Sequence, residues 1–461
     1  MRKGFQANLV LGSLTSGHPK YAEINRPQRI RRFFSLTSFI LLFVALLPFR
    51  RPIDAFLYSF SPILGLGWKE GVICLLFLAS IPIWVTLKGW RLWFFFYFIT
   101  IFLYGLFSFD LYAIGFRWAY FTSGPLFFIL ITTFVRDKEH AAKGLRLLFW
   151  ALALYTVGSA FMLLFSEIEI REILGLTTQL EGDDCLQRVC VRIRPIFGEM
   201  RYQRGGLLFS QFSTAFLMVF FLGLLYAQGQ MFIKNNVGKT LLAALSFLVT
   251  FYTYSRTGYL GVVALISITA ILTRSSVKKL GFLAVLVLFL AGVLIVTDPF
   301  KALDLGDTSA FIRVKTYVQI IPQILYEHPL GVGYTFVERF AGVADRNTVD
   351  ITGGESFISA LAVPMGLPGI ILYFGILICL SMHVRRLTRT APKKQARLGN
   401  TALAIFLTAH LMGLFLPAIF GREVNTMLWA IVALTVIYIS PEQHHRTLTP
   451  SEYELASVPI R

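Results

Sequence analysis

Apolar runs about as long as a bilayer is thick recur along the chain, and they limit its fold more than any other feature. Gly71–Leu87, Leu92–Phe107, Leu147–Phe165, Gly205–Leu225 and Gly281–Val296 are five of them. A helix needs roughly 20 such residues to cross the hydrocarbon core. In hydrocarbon every backbone N–H and C=O must find its partner within the protein, which leaves only helices and closed barrels. These runs are continuously apolar rather than alternating, so they read as helices. Composition agrees: 56% of residues are hydrophobic and 15% charged, where a soluble domain is about a quarter charged. The chain reads as an all-α polytopic membrane protein.

A net charge of +18 would suit a nucleic-acid partner if it formed a patch. The basic residues instead fall in short links between apolar runs. Arg136, Lys138, Lys143 and Arg146 form one link, Lys234 and Lys239 a second, and Arg274, Lys278 and Lys279 a third; Arg385, Arg386, Arg389, Lys393, Lys394 and Arg397 form a fourth. The positive-inside rule assigns such links to the cytoplasmic side, and no nucleic-acid partner is expected. Threading the chain through them predicts spans near 34–49, 70–87, 92–108, 115–135, 147–166, 205–227, 240–255, 257–273, 279–297, 356–380, 399–419 and 424–440. That is about twelve transmembrane helices with both termini inside.

The expected organisation is a basic tail (1–33), N-terminal helices (34–166) and an outer loop (167–204). Central helices (205–297), a large outer loop (298–355), C-terminal helices (356–440) and a tail (441–461) follow. The inner segments then carry slightly more than the whole net charge, and the outer loops are slightly acidic. The segment 53–68, interrupted by Pro62, Gly65 and Gly67, reads as an outer interfacial or re-entrant stretch. No cleavable signal peptide is evident, since a basic tail of about thirty residues precedes the first apolar run. Cys185 and Cys190 share the first outer loop; an oxidising compartment would allow a disulfide there, and two free thiols are the alternative. Cys74 and Cys379 fall inside spans and read as packing residues.

The positive-inside rule does not account for arginines on the outer side. The first loop ends VRIRPIFGEMRYQR with Arg192, Arg194, Arg201 and Arg204, the last followed by Gly205 and Gly206. Arg256 stands alone where two short spans meet, with no acidic residue in either. At 1.5 Å per residue each span would reach only about 25 Å, so the tip is expected below the outer surface. Arg313 precedes an apolar spacing that predicts an amphipathic helix lying on the bundle. Guanidinium forks bind phosphate oxygens bidentately, so these arginines suit a diphosphate; pairing with carboxylates or lipid headgroups is the alternative for each. Glu355, before the span that starts near 356, is placed to take a proton from a sugar hydroxyl or to cap the span. The loop carboxylates Asp298, Asp304, Asp307, Asp345 and Asp350 form no metal-binding spacing and read as solvated.

With RGGLLFS at 204–210, YSRTGYLG at 254–261, Arg313, EHPLGVGYTF at 327–336 and ESFISALAVPMGLPGIIL at 355–372, the chain resembles the O-antigen polymerase and ligase superfamily. The resemblance covers roughly 200–380. It implies a GT-C-like membrane glycosyltransferase that uses undecaprenyl-diphosphate-linked glycans at the outer face of the inner membrane, without a metal or other cofactor. Glu355 would be the base, Arg256 and Arg313 catalytic cations, and Arg204, Arg194, Tyr254, Tyr334 and Arg422 contacts to diphosphate or glycan. Ligases of this family carry a His-Asn pair where this chain has Gly354-Glu355, and an acidic residue beside the serine is more usual in polymerases. The resemblance thus implies polymerisation of repeat units into O-antigen, capsule or exopolysaccharide. A flippase and a chain-length regulator of the same pathway are the expected protein partners, with membrane lipids around them. Rival readings are a ligase to lipid A core or protein, a peptidoglycan-type polymerase, and a twelve-span transporter or flippase. The transporter fits less well, because transporters place polar groups at the midplane and often repeat their halves.

Overall fold

A computed structural model describes residues 26–107, 111–135, 137–165, 169, 193–196, 199–202, 204–208, 210–233, 235–273, 316–333, 356–415 and 417–441. Thirteen helices are labelled in chain order. The first six are α1 (Arg26–Leu46), α2 (Arg50–Tyr58), α3 (Pro62–Trp84), α4 (Leu92–Phe107), α5 (Leu111–Phe134) and α6 (Lys138–Phe161). After a two-stranded ribbon come α7 (Gln211–Phe232), α8 (Asn236–Tyr252), α9 (Arg256–Thr273) and α10 (Ile321–Glu327). The last three are α11 (Phe357–Thr390), α12 (Lys393–Gly413) and α13 (Arg422–Ile439). Seven helices among the described residues are long and apolar enough to cross a membrane, and three more apolar stretches are shorter. The spanning part is all-helical, as expected. The ribbon in the first loop pairs Ile193–Ile196 antiparallel with Glu199–Tyr202. The expected span at 279–297 lies outside the described residues.

The described residues of the first, second and fourth basic links gather at one end of the bundle. There Arg397 of α12 donates to the Tyr226 carbonyl of α7 at 2.7 Å, and Trp90 stacks near His383 with ring centroids 5.0 Å apart. At this end a Cβ on Gly144 would meet Leu434, near the end of α13. At the opposite end α6 meets the start of α7, where Tyr155 and Thr214 share a hydrogen bond of 2.6 Å. Within each described series, α3 to α6, α7 to α9 and α11 to α13, successive helices therefore run in alternating directions, as the charge pattern predicts.

The last helix is the axis of the molecule. α13 is apolar almost all round, as a helix buried on every side must be, and it packs against α1, α5, α6, α7, α11 and α12. Its closest approach is to α5: a Cβ on Gly124 would fall 2.1 Å from Asn425 Oδ1 and 2.2 Å from the Trp429 ring. The polar edge of Asn425 is turned to α5, donating to Tyr120 O at 3.3 Å. Around this axis lies one continuous core rich in rings, including Phe94, Phe98, Phe128, Phe406 and Trp429.

The segment 53–68 is not an independent stretch. Its first part belongs to α2 and its second to α3, whose first residue is Pro62. Proline suits a helix's first position because its missing N–H would be unpaired there anyway. Gly65 lies inside α3, where a Cβ would meet Tyr58 of α2 at 2.7 Å. The glycine that looks like an interruption is the contact point of a helical hairpin.

Candidate functional site

The end of the bundle opposite the basic links collects the arginines. Its centre is the joint between α8 and α9, residues 253–255. Tyr254 has φ +47°, the one non-glycine residue with positive φ among the described residues, a strained conformation for a bulky side chain. Ser255 Oγ accepts from Gly258 N at 3.3 Å and so caps α9, which places Arg256 in its first turn. Tyr259 reaches back to donate to Phe251 O at 2.7 Å. Thr253, Tyr254 and Ser255 are buried, so the joint is packed into the protein, and Arg256 is half-buried beside it.

The first turn of α7 holds the neighbouring parts in register through three consecutive residues. Ser213 donates to Glu423 Oε1 at 2.8 Å. Thr214 donates to Gly205 O at 2.6 Å, fixing the turn that follows Arg204. Ala215 receives Gly258 of α9, where an added Cβ would stand 2.9 Å away. Arg204 is thereby tied to the α8–α9 joint: its N–H donates to Tyr252 O at 3.0 Å and its guanidinium to Phe165 O at 3.1 Å. Gly206 has φ +57° and lies so close to Ser159 that a Cβ would meet Oγ at 2.7 Å. The Gly-Gly pair after Arg204 thus serves a close helix contact.

A buried ion cluster lies on the other side of that turn. Arg422 Nη1 stands 2.7 Å from Glu70 Oε1, and Arg50 Nη1 lies 3.1 Å from Glu423 Oε2. Lys69 Nζ is 2.9 Å from Asp54 Oδ1, which also accepts from Trp68 Nε1 at 2.8 Å. Three cations thus meet three carboxylates, with Arg422 5% and Glu423 1% exposed. Removing such charges from water is costly, and only close pairing with further hydrogen bonds offsets it. Of this group only Arg422 is anticipated by the sequence reading. The signal for the others is that charged neighbours, Arg50-Arg51, Lys69-Glu70 and Arg422-Glu423, stand at the ends of apolar runs, where ordinary solvated loop charge looks the same.

EHPLGVG (327–333), the described part of the motif EHPLGVGYTF, and VPMGLPG (363–369) are two halves of one device. α11 is broken at Gly366, whose φ of +57° and ψ of −146° only glycine adopts readily. The first half, 357–365, folds back on the second. Phe357 lies 6.0 Å from Tyr373 and 5.8 Å from Phe374, ring centroid to centroid, whereas about 24 Å would separate Phe357 and Tyr373 in a straight helix. The break exposes backbone groups, and the loop after α10 satisfies them. Val332 N donates to Val363 O at 2.8 Å, Gly333 N to Pro364 O at 3.1 Å, and Leu367 N to Pro329 O at 2.8 Å. A Cβ on Gly331 would meet Gly366 N at 2.6 Å, and one on Gly366 would meet Pro329 O at 2.2 Å. Tyr104 of α4 donates to Leu330 O at 2.5 Å, and Tyr317 donates to Leu414 O. Ile320 and Ile324 pack on Val363, so the amphipathic segment does lie on the bundle. His328 forms the turn with its backbone, as its place before proline suggests: its N–H donates to Ile324 O at 2.7 Å.

The folded-back half of α11 begins in a capping box in which Ser356 and Ser359 each bond the other's backbone. Phe357 sits against Phe420, two residues before Arg422. Arg204, Tyr254, Arg256 and Arg422 therefore all belong to the same end of the bundle. Arg313, Tyr334, Glu355, Cys185 and Cys190, together with the Arg194 side chain, lie outside the described residues; the Arg194 backbone pairs with Arg201 in the ribbon.

Residues 241–374 match the family model described as O-antigen ligase. The match covers less than half of the chain, but it includes the α8–α9 joint, α10 and its loop, and the broken half of α11. These are most of the elements on which the resemblance to the O-antigen polymerase and ligase superfamily rests. The curated proteins contain no match to the chain.

Proposed function

We propose, from the kinship of residues 241–374 with the O-antigen polymerase and ligase superfamily, that this membrane protein polymerises undecaprenyl-diphosphate-linked repeat units. The reaction would take place on the side away from the basic links, the periplasmic face of the inner membrane. The observation that carries the reading is Arg256 in the first turn of α9, inside the matched segment, at a joint to which the Arg204 backbone is bonded through Tyr252 O. A helix start offers free N–H groups and a partial positive charge, and an arginine there adds a bidentate donor for phosphate. An acceptor hydroxyl attacks the anomeric carbon of the growing chain; a C–O bond forms there as the bond to the diphosphate breaks. Glu355 takes the hydroxyl proton. The departing diphosphate carries the charge that Arg204, Arg256 and Arg313 stabilise, and preorganised cations at such a position contribute most when water is excluded. Tyr334 and Arg194 line the route of lipid and glycan, and Tyr254 and Arg422, both buried, hold its walls in place, Arg422 through its pair with Glu70. No metal takes part in this scheme.

The description of the matched family supports a second reading, transfer of a finished glycan onto lipid A core. One assay separates the readings. Purified protein with synthetic undecaprenyl-diphosphate repeat unit should give a ladder of products that resists EDTA and disappears in Arg256→Ala and Glu355→Gln. Product only when lipid A core is supplied would replace polymerase by ligase. Translocation without any new glycosidic bond would overturn both.

A further inference from the structure

A cavity of about 400 Å³ opens in the half of the bundle nearer the basic links, between α8 and α9 with α7 as its floor. The two helices touch near their joint, where a Cβ on Gly258 would lie 3.4 Å from Thr250, and they part below it. The walls are almost wholly apolar, with Leu225, Phe247, Ile266 and Ala270 among them. Phe247 and Ile266 on its flanks are exposed at the protein surface, so in a bilayer the cavity faces hydrocarbon, not water. An apolar space open to lipid fills with chain, because neither water nor a polar solute gains by entering it.

The end toward the basic links is different. Lys239 lines it, as does Tyr226. Arg397 lies over the Tyr226 ring, 4.7 Å from its centroid, while donating to the carbonyl of the same residue. Lys239 thus lines the mouth of an apolar cavity at the level where lipid headgroups lie, and Arg397 stands at the same end against the lining residue Tyr226. Neither faces a carboxylate across the mouth in the described structure. Tyrosine at this level is also a common interfacial anchor, apolar in body and polar at its tip.

We infer that the cavity between α8 and α9 binds an anionic phospholipid of the leaflet on the basic side. One acyl chain fills the cavity, and the negatively charged headgroup meets Lys239 and Arg397. The inference rests on the membrane reading alone and not on glycosyl transfer. The polyprenyl chain of the substrate is the competing occupant, but its diphosphate would belong at the arginine-rich end, a bundle's length away from these two cations.

Native mass spectrometry of the full chain, released from detergent containing equal amounts of phosphatidylglycerol and phosphatidylcholine, tests it. The unaltered protein should retain one phosphatidylglycerol in preference to phosphatidylcholine. Lys239→Gln, which leaves the packing intact, should lower that preference about fivefold, as expected for one basic group near a headgroup. Ala270→Phe should occupy the space and abolish retention of either lipid, with an unchanged melting temperature showing that the bundle persists. Equal retention of both lipids, or the same preference in Lys239→Gln, would overturn the anionic assignment. Selective retention of added polyprenyl phosphate over phosphatidylglycerol would give the cavity to the substrate tail instead.

Discussion

Glu423 has almost no contact with water, yet it is paired with Arg50 and accepts from Ser213. Breaking such a pair leaves an uncompensated buried charge, which costs about 3–5 kcal/mol, whereas replacing both partners by apolar groups of similar size is often nearly neutral. Glu423→Leu alone should therefore lower the melting temperature sharply. Arg50→Met added to it should restore much of the loss, and simple additivity in that thermal-melting cycle would show that the two groups do not act as a pair. The pairing also explains why sequence reading passed over Glu423. Charged neighbours at the end of an apolar run look alike whether they reach solvent or turn inward, and the partner, Arg50, lies on a helix at the other end of the chain. Arg256 was legible for the opposite reason: it stands alone in a long uncharged stretch, and such isolation needs no partner to be noticed.

At the scale of elements, the break in α11 is the feature on which most else depends. Each unpaired backbone group at membrane depth would cost several kcal/mol, and the loop 329–333 supplies partners for three of them. Both glycines at the crossing have positive φ, which costs about 1–3 kcal/mol for a side-chain-bearing residue, and an added Cβ would also strike backbone. Gly366→Ala and Gly331→Ala should each lower the melting temperature. They should also reduce the proposed glycosyl transfer well beyond the loss of folded protein, because the fold-back that starts at Ser356 loses its anchor. Wild-type turnover per folded molecule in either variant would show that the crossing does not position the site. In the sequence, the glycines and prolines of both motifs are visible as breakers, but nothing local says that they break against each other. The α8–α9 pair was easier to read. Its two short spans and the interruption at 253–255 are written in one contiguous stretch, and the helices run Asn236–Tyr252 and Arg256–Thr273, within a few residues of the expected bounds.

For the whole molecule, the described basic links lie at one end, and Arg204, Arg256, the ion cluster and the crossing loop lie at the other. The positive-inside rule then predicts which end faces the cytoplasm. In a background with Cys74, Cys185, Cys190 and Cys379 replaced by serine, Tyr326→Cys on the exposed face of α10 should react with a membrane-impermeant thiol reagent in intact cells. Lys394→Cys in the first turn of α12 should react only after permeabilisation. The reverse pattern would invert the molecule and overturn the proposed periplasmic placement of the site. The central position of α13, by contrast, has no counterpart in the linear pattern. It is one apolar run among many, and its contacts with α1, α5 and α6 join the two ends of the chain.

The sequence by itself determined that this is a helical membrane protein, roughly where its helices lie and which ends of them are basic. Partition into a bilayer depends on apolarity summed over a contiguous window, and orientation depends on the charge flanking it; both are local properties of the chain. Only the tertiary structure decided that Arg50 and Glu423 are partners, that Ser213, Thr214 and Ala215 point to three different neighbours, and that Gly331 lies against Gly366. Those contacts are set by the rotation and crossing of helices far apart in the chain, and a charge or a glycine carries no mark of what will face it once they pack.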